Sequence, residues 1–337
     1  YASDGSPAYQ TSELYNGSLW ASSTALLTAR WRFATVGSAT TNMLMGGYTG
    51  VYQNTTERLS GTTWSTSTAM PYNTADNSAF GSTTSCVLPG GWVNNTTSIS
   101  SYVQVCRGTN WQMSIYLNNS RQEFSSFGAN ENSGVVAGGF ASSTPMSSTE
   151  KFNGFIWANS GNLSSIRQNA SGFGSSNAGV VVNGYNNNIY TTTVERFNGF
   201  TWYAGTSTTI GRIQHRATSY TGSDGLICGG YTGSVIKTTE RYLSVDDPSL
   251  SVLEGSTANT IISTLSASEP SMVFSLVAGS GDTDNGSFSI SGSNLTALSN
   301  FNYEGKTSYS LRINATNGTL LIRIFYHKCT DDPDQAY

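Results

Sequence analysis

The chain has 337 residues, of which 11% are charged and 12% aromatic, with a net charge of −4. Regularly spaced aromatic residues exclude a disordered chain, and the acidic balance excludes a basic stripe for nucleic acid. No apolar run approaches the roughly 20 residues of a membrane-spanning helix, and the length suffices for two domains.

The first element, Glu13-Leu14-Tyr15, leads through an Asn16-Gly17 turn to Trp20. This arrangement returns along the chain with a period of about 45 residues. Each copy carries a glycine pair before an aromatic residue: Gly46-Gly47-Tyr48, Gly90-Gly91-Trp92, Gly138-Gly139-Phe140, Asn183-Gly184-Tyr185 and Gly229-Gly230-Tyr231. Each also carries a lone tryptophan, at Trp20, Trp64, Trp111, Trp157 and Trp202. Such a period marks stacked supersecondary units rather than one continuous core. The unit from Val180 gives the pattern in full. An apolar strand ends at Gly184, a polar Asn186-Asn187-Asn188 turn follows, then a β-branched strand from Thr191 to Phe197. An Asn198-Gly199 hairpin leads to Phe200–Tyr203 around Trp202. Asn153-Gly154, Ser60-Gly61 and Arg107-Gly108 fill the same hairpin slot. Ten residues after most tryptophans stands an arginine (Arg30, Arg121, Arg167, Arg212), with Asp76 twelve after Trp64. The stretch from there to the next glycine pair supplies a fourth strand, and four short strands per unit predict a propeller blade.

Three elements recur in register over residues 8–243: the glycine pair, the tryptophan and a Glu-x-aromatic strand. The last appears as Glu13-Leu14-Tyr15, Glu57-Arg58-Leu59, Glu150-Lys151-Phe152, Glu195-Arg196-Phe197 and Glu240-Arg241-Tyr242. Together they resemble the kelch repeat, from which Gln104-Val105-Cys106 and Leu59 depart. The resemblance implies an all-β fold containing a β-propeller. Five glycine pairs and five tryptophans imply five blades. Glu13–Trp20 and Gly229–Tyr242 read as two halves of one blade, so that N- and C-terminal strands of the domain close the ring and leave no free edge. The arginines either hydrogen-bond neighbouring carbonyls, the favoured reading, or line the central channel as an anion site.

Beyond Val245-Asp246-Asp247-Pro248 the repeat stops. Alternating segments at Ser251–Leu253, Thr260–Ile262, Val273–Leu276, Ser287–Ile290 and Ser308–Ile313 predict an antiparallel β-sandwich. Glu254, Phe274-Ser275-Leu276, Phe288-Ser289-Ile290, Asn302-Tyr303-Glu304 and Ala315-Thr316-Asn317 resemble a cadherin-like (Ig-like) repeat over residues 248–330. That resemblance implies calcium at the C-terminal pole, held by Glu254, Glu304, Asp331, Asp332 and Asp334, with merely solvated acids as the alternative. Asp246-Asp247-Pro248 returns as Asp331-Asp332-Pro333. The chain therefore divides into a propeller over 1–243, a sandwich over 244–330 and a linker over 331–337 to a further module.

Two features point outside the cell, and the start at Tyr1 adds the expectation of a removed signal peptide. Asn-x-Ser/Thr sequons stand at Asn16, Asn54, Asn94, Asn95, Asn118, Asn162, Asn169, Asn285, Asn294, Asn314 and Asn317, and chance in an Asn/Ser/Thr-rich chain produces the same triplets. Cys86 and Cys106 replace Gly or Asn and Leu, Tyr or Phe of the other units, on strands predicted to pair, so a cross-strand disulfide is expected. Cys329 is expected to pair beyond this segment rather than with Cys228.

His215 and His327 lie one in each module, which excludes a multi-histidine metal site. Nucleophile elbows, zinc-ligand helices and phosphate loops are missing from the sequence. Glu123, Glu131, Asp76 and Asp224 remain as loop carboxylates with nothing in sequence to pair them. The expected function is a non-catalytic extracellular adhesion or appendage protein binding protein or glycan through propeller loops, as a homo-oligomer or filament. The alternatives are a virion tail-fibre or spike receptor-binding protein and, below it, a carbohydrate-active propeller enzyme.

Overall fold

The computed structural model describes residues 10–16, 19–93, 98–141, 143–221, 224–243, 251–253, 258–264, 273–278, 284–300, 308–309, 311, 313–316 and 327–330. Among these residues the fold is all-β, with one 3₁₀ turn at Asn285–Ser287. The chain divides into two compact units, residues 1–242 and 243–337.

In the first unit the repeat becomes a series of antiparallel sheets. The first holds Ala34–Gly37, Thr41–Met45, Thr56–Ser60 and Thr63–Ser67; the second Phe80–Ser82, Ser85–Pro89, Val103–Arg107 and Asn110–Met113. The third holds Ser125–Asn130, Ser133–Ala137, Thr149–Phe152 and Trp157–Ser160; the fourth Ser171–Ser175, Ala178–Val182, Val194–Phe197 and Trp202–Ala204. The fifth has three strands, Arg216–Thr221, Asp224–Cys228 and Thr239–Leu243. The opening strands of successive sheets pack on one another, which places them innermost. Arg216 donates Nη2 to the Phe33 carbonyl at 3.2 Å, joining the start of the fifth sheet to the start of the first.

Trp157 and Trp202 pack between sheets. Trp157 stacks on Phe152 at 4.8 Å and meets Phe80 of the preceding sheet edge-on at 6.3 Å. Trp202 repeats this with Phe197 and Phe127, and its Nε1 donates to Thr149 Oγ1 of the preceding sheet at 3.0 Å. The glycine pairs hook each sheet to the next. Gly47, Gly91, Gly139 and Gly184 donate their N–H to the carbonyls of Thr74, Arg121, Arg167 and Arg212 of the following repeat. A side chain does not fit there: a Cβ on Gly90 would lie 2.5 Å from the Arg121 carbonyl oxygen.

One sequence expectation needs correction. Ser12–Tyr15 and Trp20–Ser23 pair only with each other, as a separate hairpin, and do not complete the fifth sheet. The reason is that the fifth sheet brings its own Glu-x-aromatic strand, Glu240-Arg241-Tyr242, leaving no vacancy for Glu13-Leu14-Tyr15. Trp20 Nε1 instead donates to Thr239 Oγ1 at 3.1 Å, as Trp202 does to Thr149, so the hairpin stands beside the fifth sheet as the next repeat would.

In the second unit Ile261–Thr264, Asn294–Ala297 and Phe288–Ser291 form one sheet, and Val273–Leu276 pairs with Ile313–Thr316. His327–Thr330 runs parallel to Ser251–Leu253 and antiparallel to Ser308–Tyr309. Phe274, Phe288, Leu295, Tyr309, Leu311 and Ile313 are buried, with Phe288 edge-on to Tyr309 at 5.8 Å.

Candidate functional site

In an up-and-down sheet, connections alternate between the two ends of the strands. The links from one sheet to the next therefore share a face with the loops that follow the glycine pairs. The inter-sheet links carry a run of matching positions. Arg32, Asp76, Glu123, Asn169 and Gln214 occupy equivalent positions, all left-handed, with φ of 58°, 55°, 54°, 54° and 56°. Their backbones form a chain of hydrogen bonds across sheets. Asp76 N–H donates to Arg32 O at 3.0 Å, Glu123 to Asp76 at 3.0 Å, Asn169 to Glu123 at 2.7 Å and Gln214 to Asn169 at 3.4 Å. Left-handed backbone costs side-chain-bearing residues of order 1–3 kcal/mol each, and such cost concentrates at functional sites.

Two residues before each of these positions, the side chain turns the other way. Arg30, Arg121, Arg167 and Arg212 are buried and donate to backbone carbonyls of the next sheet and to its Glu-x-aromatic glutamate. The ion pairs are Arg30–Glu57 at 2.6 Å, Arg121–Glu150 at 2.8 Å, Arg167–Glu195 at 2.5 Å and Arg212–Glu240. These arginines bind carbonyls and glutamates, not a channel anion. Burial presses the guanidinium groups of Arg30, Arg121 and Arg167 downward in pKa, and the glutamates oppose it. In the second sheet both charges vanish together, since Thr74 holds the arginine position and Gln104 the glutamate position. Gln104 Oε1 then accepts from the Tyr72 N–H at 2.9 Å.

Four of these links contribute to a cavity of about 50 Å³ lined by Asp76, Asn77, Glu123, Asn169, Gln214 and Arg216, among others. Asp76 is nearly buried and pairs with Arg32 at 2.6 Å. Glu123 Oε2 accepts from Asn169 Nδ2 at 2.8 Å. Burial, and then the Asp76 charge, raise the Glu123 carboxyl to about 7, against the opposing pull of Arg32 and Asn169. Asn77 donates Nδ2 to Thr74 Oγ1 at 2.9 Å, while its buried Oδ1 has no partner. Sequence reasoning left Asp76 and Glu123 unpaired; the fold brings them to one cavity. The signal that locates them is their place two residues after the arginine position. Glu131 instead pairs with Arg107 at 3.0 Å, and Asp224 opens a strand opposite Thr221. His215 is wholly buried; Val182 backbone lies close, yet neither imidazole nitrogen completes a hydrogen bond of ordinary geometry. Burial lowers its pKa to about 3, with Arg216 and Arg212 adding to the effect.

Aromatic side chains form three groups in the links and loops of the same face. Trp31 meets Tyr48 edge-on at 5.4 Å, and Tyr48 meets Tyr52 at 5.5 Å. Tyr185, Tyr190 and Tyr231 form a second group at 5.6 and 6.0 Å, and Tyr72, Tyr102 and Tyr116 a third at 5.2 and 5.1 Å. The Arg32 guanidinium lies over the Trp31 ring at 4.5 Å.

Cys86 and Cys106 face each other on adjacent strands, in the register a cross-strand disulfide would use, and stand as free thiols in this structure. Packing accounts for both. Gly134 faces Phe152 and Gly179 faces Phe197 in the same register, glycine being needed because a Cβ would strike Phe80 or Phe127 within about 2 Å. The second sheet meets Val36 in place of that phenylalanine, which leaves room for a sulfur at position 86 and a smaller partner at 106. Arg58 Nη2 lies 3.4 Å from Cys106 Sγ. Hydrogen bonding between the thiols pushes Cys86 up and Cys106 down to about 7, helped by Arg58.

Of the sequons, Asn16, Asn118 and Asn162 are exposed. The Asn54, Asn118 and Asn285 amides donate to Met70, Trp157 and Val277 carbonyls. Asn169 is spoken for, since its Nδ2 is the atom bound to Glu123. Asn294 and Asn314 lie in strands. Asn94, Asn95, Asn317 and the acids Glu254, Glu304, Asp331, Asp332 and Asp334 lie outside the described residues. Among the described residues no group of three His, Cys, Asp or Glu is placed to hold a metal. Among them, too, no helix is long and apolar enough to cross a membrane.

No family model and no curated protein matches the sequence. The fold is similar to that in the solved structure of YjhT, with a TM-score of 0.59 and 10% identity, over 71% of this chain and 96% of that one. The likeness supports a β-propeller-type fold and carries no function across.

Proposed function

We propose that the chain is a non-catalytic extracellular adhesion or appendage subunit that holds a glycan on its loop face. Its first unit is a five-bladed, kelch-like ring, and its second a cadherin-like sandwich. Five opening strands, five left-handed link positions and the Arg216–Phe33 hydrogen bond support the blade count. The observation that carries the function is three groups of aromatic side chains on the face that holds a small polar cavity. Flat rings give contact area to sugar faces, while a few polar groups fix orientation. In an oxidising compartment Cys86 and Cys106, already opposite each other, would form a disulfide, and peptide mapping would detect it. Glycan-array binding of the full chain tests the main reading. Binding that Tyr190→Ala weakens is expected; a wild-type chain that retains no glycan would overturn it.

A second reading, a glycan-cleaving enzyme, is favoured by one observation. Asp76 and Glu123 share a cavity in which Asp76 pairs with Arg32 and burial favours the proton on Glu123. Release of reducing ends from any glycan that the array identifies, lost in Glu123→Gln, would replace the binding reading with this one.

A further inference from the structure

We propose that the hairpin of Ser12–Tyr15 and Trp20–Ser23 is the outer half of a sixth sector, and that its open edge accepts the inner half, two β-strands, from another polypeptide. The inference goes beyond the glycan reading and does not rest on it. The hairpin is held on both flanks as a repeat would be. Trp20 Nε1 donates to Thr239 Oγ1 of the fifth sheet at 3.1 Å. On the other side the Leu27 N–H donates to Glu57 Oε2 of the first sheet at 2.9 Å, as Asn118 does to Glu150 and Ser164 to Glu195 at 2.7 Å.

The inner half is missing among the described residues. Ser12–Tyr15 pairs only with Trp20–Ser23, whereas its counterparts in the first four sheets each lie between two strands. Glu13 is exposed, while Glu57, Glu150 and Glu195 are 2%, 0% and 3% exposed. Those three and Glu240 each hold an arginine, and no cation pairs with Glu13 among the described residues. Charged side chains also guard free edges against chance pairing. Glu13 differs from such a guard because it is the repeat's own glutamate, at a position that is otherwise buried and paired.

The junction of the fifth and first sheets is built unlike the others. Buried apolar clusters join the first sheet to the second, the second to the third, the third to the fourth and the fourth to the fifth. Among the described residues none joins the fifth to the first. Ala34, Ser78, Ser125 and Ser171 stand near the start of the first four opening strands, and Ser78 and Ser171 touch the next sheet directly. At the same position the fifth sheet has Arg216, whose long side chain spans the interval to the Phe33 carbonyl.

The first four sheets define the chemistry of the occupant. Opposite the glutamate position stands an apolar residue, Leu44, Leu88, Val136 or Val181, on the strand that leads to the glycine pair. An arginine from the preceding link reaches both a glycine-pair carbonyl and the glutamate, as Arg121 does with Gly138 and Glu150. The partner is therefore a β-hairpin preceded by an arginine, apolar opposite Glu13 and closed by a glycine pair. Main-chain hydrogen bonds to the open edge supply affinity, and the arginine–Glu13 pair fixes the register.

The test is fluorescence anisotropy of a labelled peptide of residues 167–184, the inner half of the fourth sheet, titrated with the full chain. In the vacant place its Arg167 meets Glu13. Saturable one-to-one binding is expected, with hydrogen-exchange protection of the Ser12–Tyr15 amides. Glu13→Gln in the chain, or Arg167→Gln in the peptide, should weaken binding by about tenfold or more, and the two changes together little further. Glu13 is exposed, so the Glu13→Gln chain should melt with wild type, which separates lost binding from lost folding. Absence of binding, binding that leaves Ser12–Tyr15 unprotected, or binding indifferent to Glu13→Gln would overturn the proposal. Protection of the same amides that rises with chain concentration in the absence of peptide would assign the edge to a second copy, and would overturn it too. Glycan-array binding is read separately, so the failure of either reading leaves the other standing.

Discussion

Arg121→Thr is the most informative single change, because it removes one partner of an ion pair that is wholly buried on both sides. Glu150 would keep the N–H groups of Asn118 and Asn119, at 2.7 and 3.1 Å, and the Asn119 side-chain amide at 3.5 Å. The carbonyls of Gly138 and Ser148 would lose the Nη1 donor that now lies 2.9 Å from each. Breaking a buried pair from one side costs roughly 3–5 kcal/mol, because the remaining charge stays buried. At roughly 2–4 °C per kcal/mol for a unit of this size, the melting temperature should fall by about 10 °C. All seven tryptophans lie in residues 1–242, so their fluorescence reports the first unit without interference from the second. The second sheet already carries the neutral version, Thr74 with Gln104. Arg121→Thr combined with Glu150→Gln should therefore recover at least half of the loss. A single variant that melts within about 3 °C of wild type, or a double variant that shows no recovery, would refute the reasoning.

The remaining predictions concern pH and the sheet junctions. Glu123 is raised to about 7 from 4.5, so the native state holds the proton more tightly and loses stability as pH rises through that window. Glu123→Gln should remove this slope and stabilise the protein at pH 8 by about 3 kcal/mol in urea titrations. His215 has the opposite sign. Its depressed value of about 3 against 6.5 means that stability is lost as pH falls from 6.5 to 3, by roughly 4–5 kcal/mol, and His215→Asn should flatten the acid limb. Gly138→Ala should cost about 3 kcal/mol in the same assay. Its φ of +65° is left-handed, and the new Cβ would lie 2.7 Å from the Arg167 carbonyl that anchors the next sheet. Gly61→Ala, at φ +61° with open space around it, should cost only about 1 kcal/mol.

Much of the fold is legible in the sequence because its repeat is enforced by hard sterics. Glycine pairs abut neighbouring carbonyls, and tryptophans fill inter-sheet gaps, so both recur at fixed spacing. The arginine–glutamate alternation is readable for the same reason, and its joint absence at Thr74 and Gln104 is what a buried charge pair requires. The closure was not legible. Glu13–Trp20 looks like the missing half of a blade, but only the structure reveals that Thr239–Leu243 already fills that strand. The axial site escapes sequence reasoning because its residue types differ at every repeat, from Arg32 to Gln214. What they share is a left-handed backbone, which side-chain identity does not announce. The packing reason for the cysteines is visible only in the structure, since sulfur at position 86 answers to Val36 standing where the other sheets have phenylalanine.

The convergence of separate links on one axial cavity is tested most directly by carbon-13 NMR titration of the Glu123 carboxyl in the full chain. The wild-type midpoint should lie at about 7 and drop in Asp76→Asn, where a neighbouring charge from another link is removed. A midpoint near that of a solvated glutamate, unmoved by the substitution at residue 76, would contradict the account.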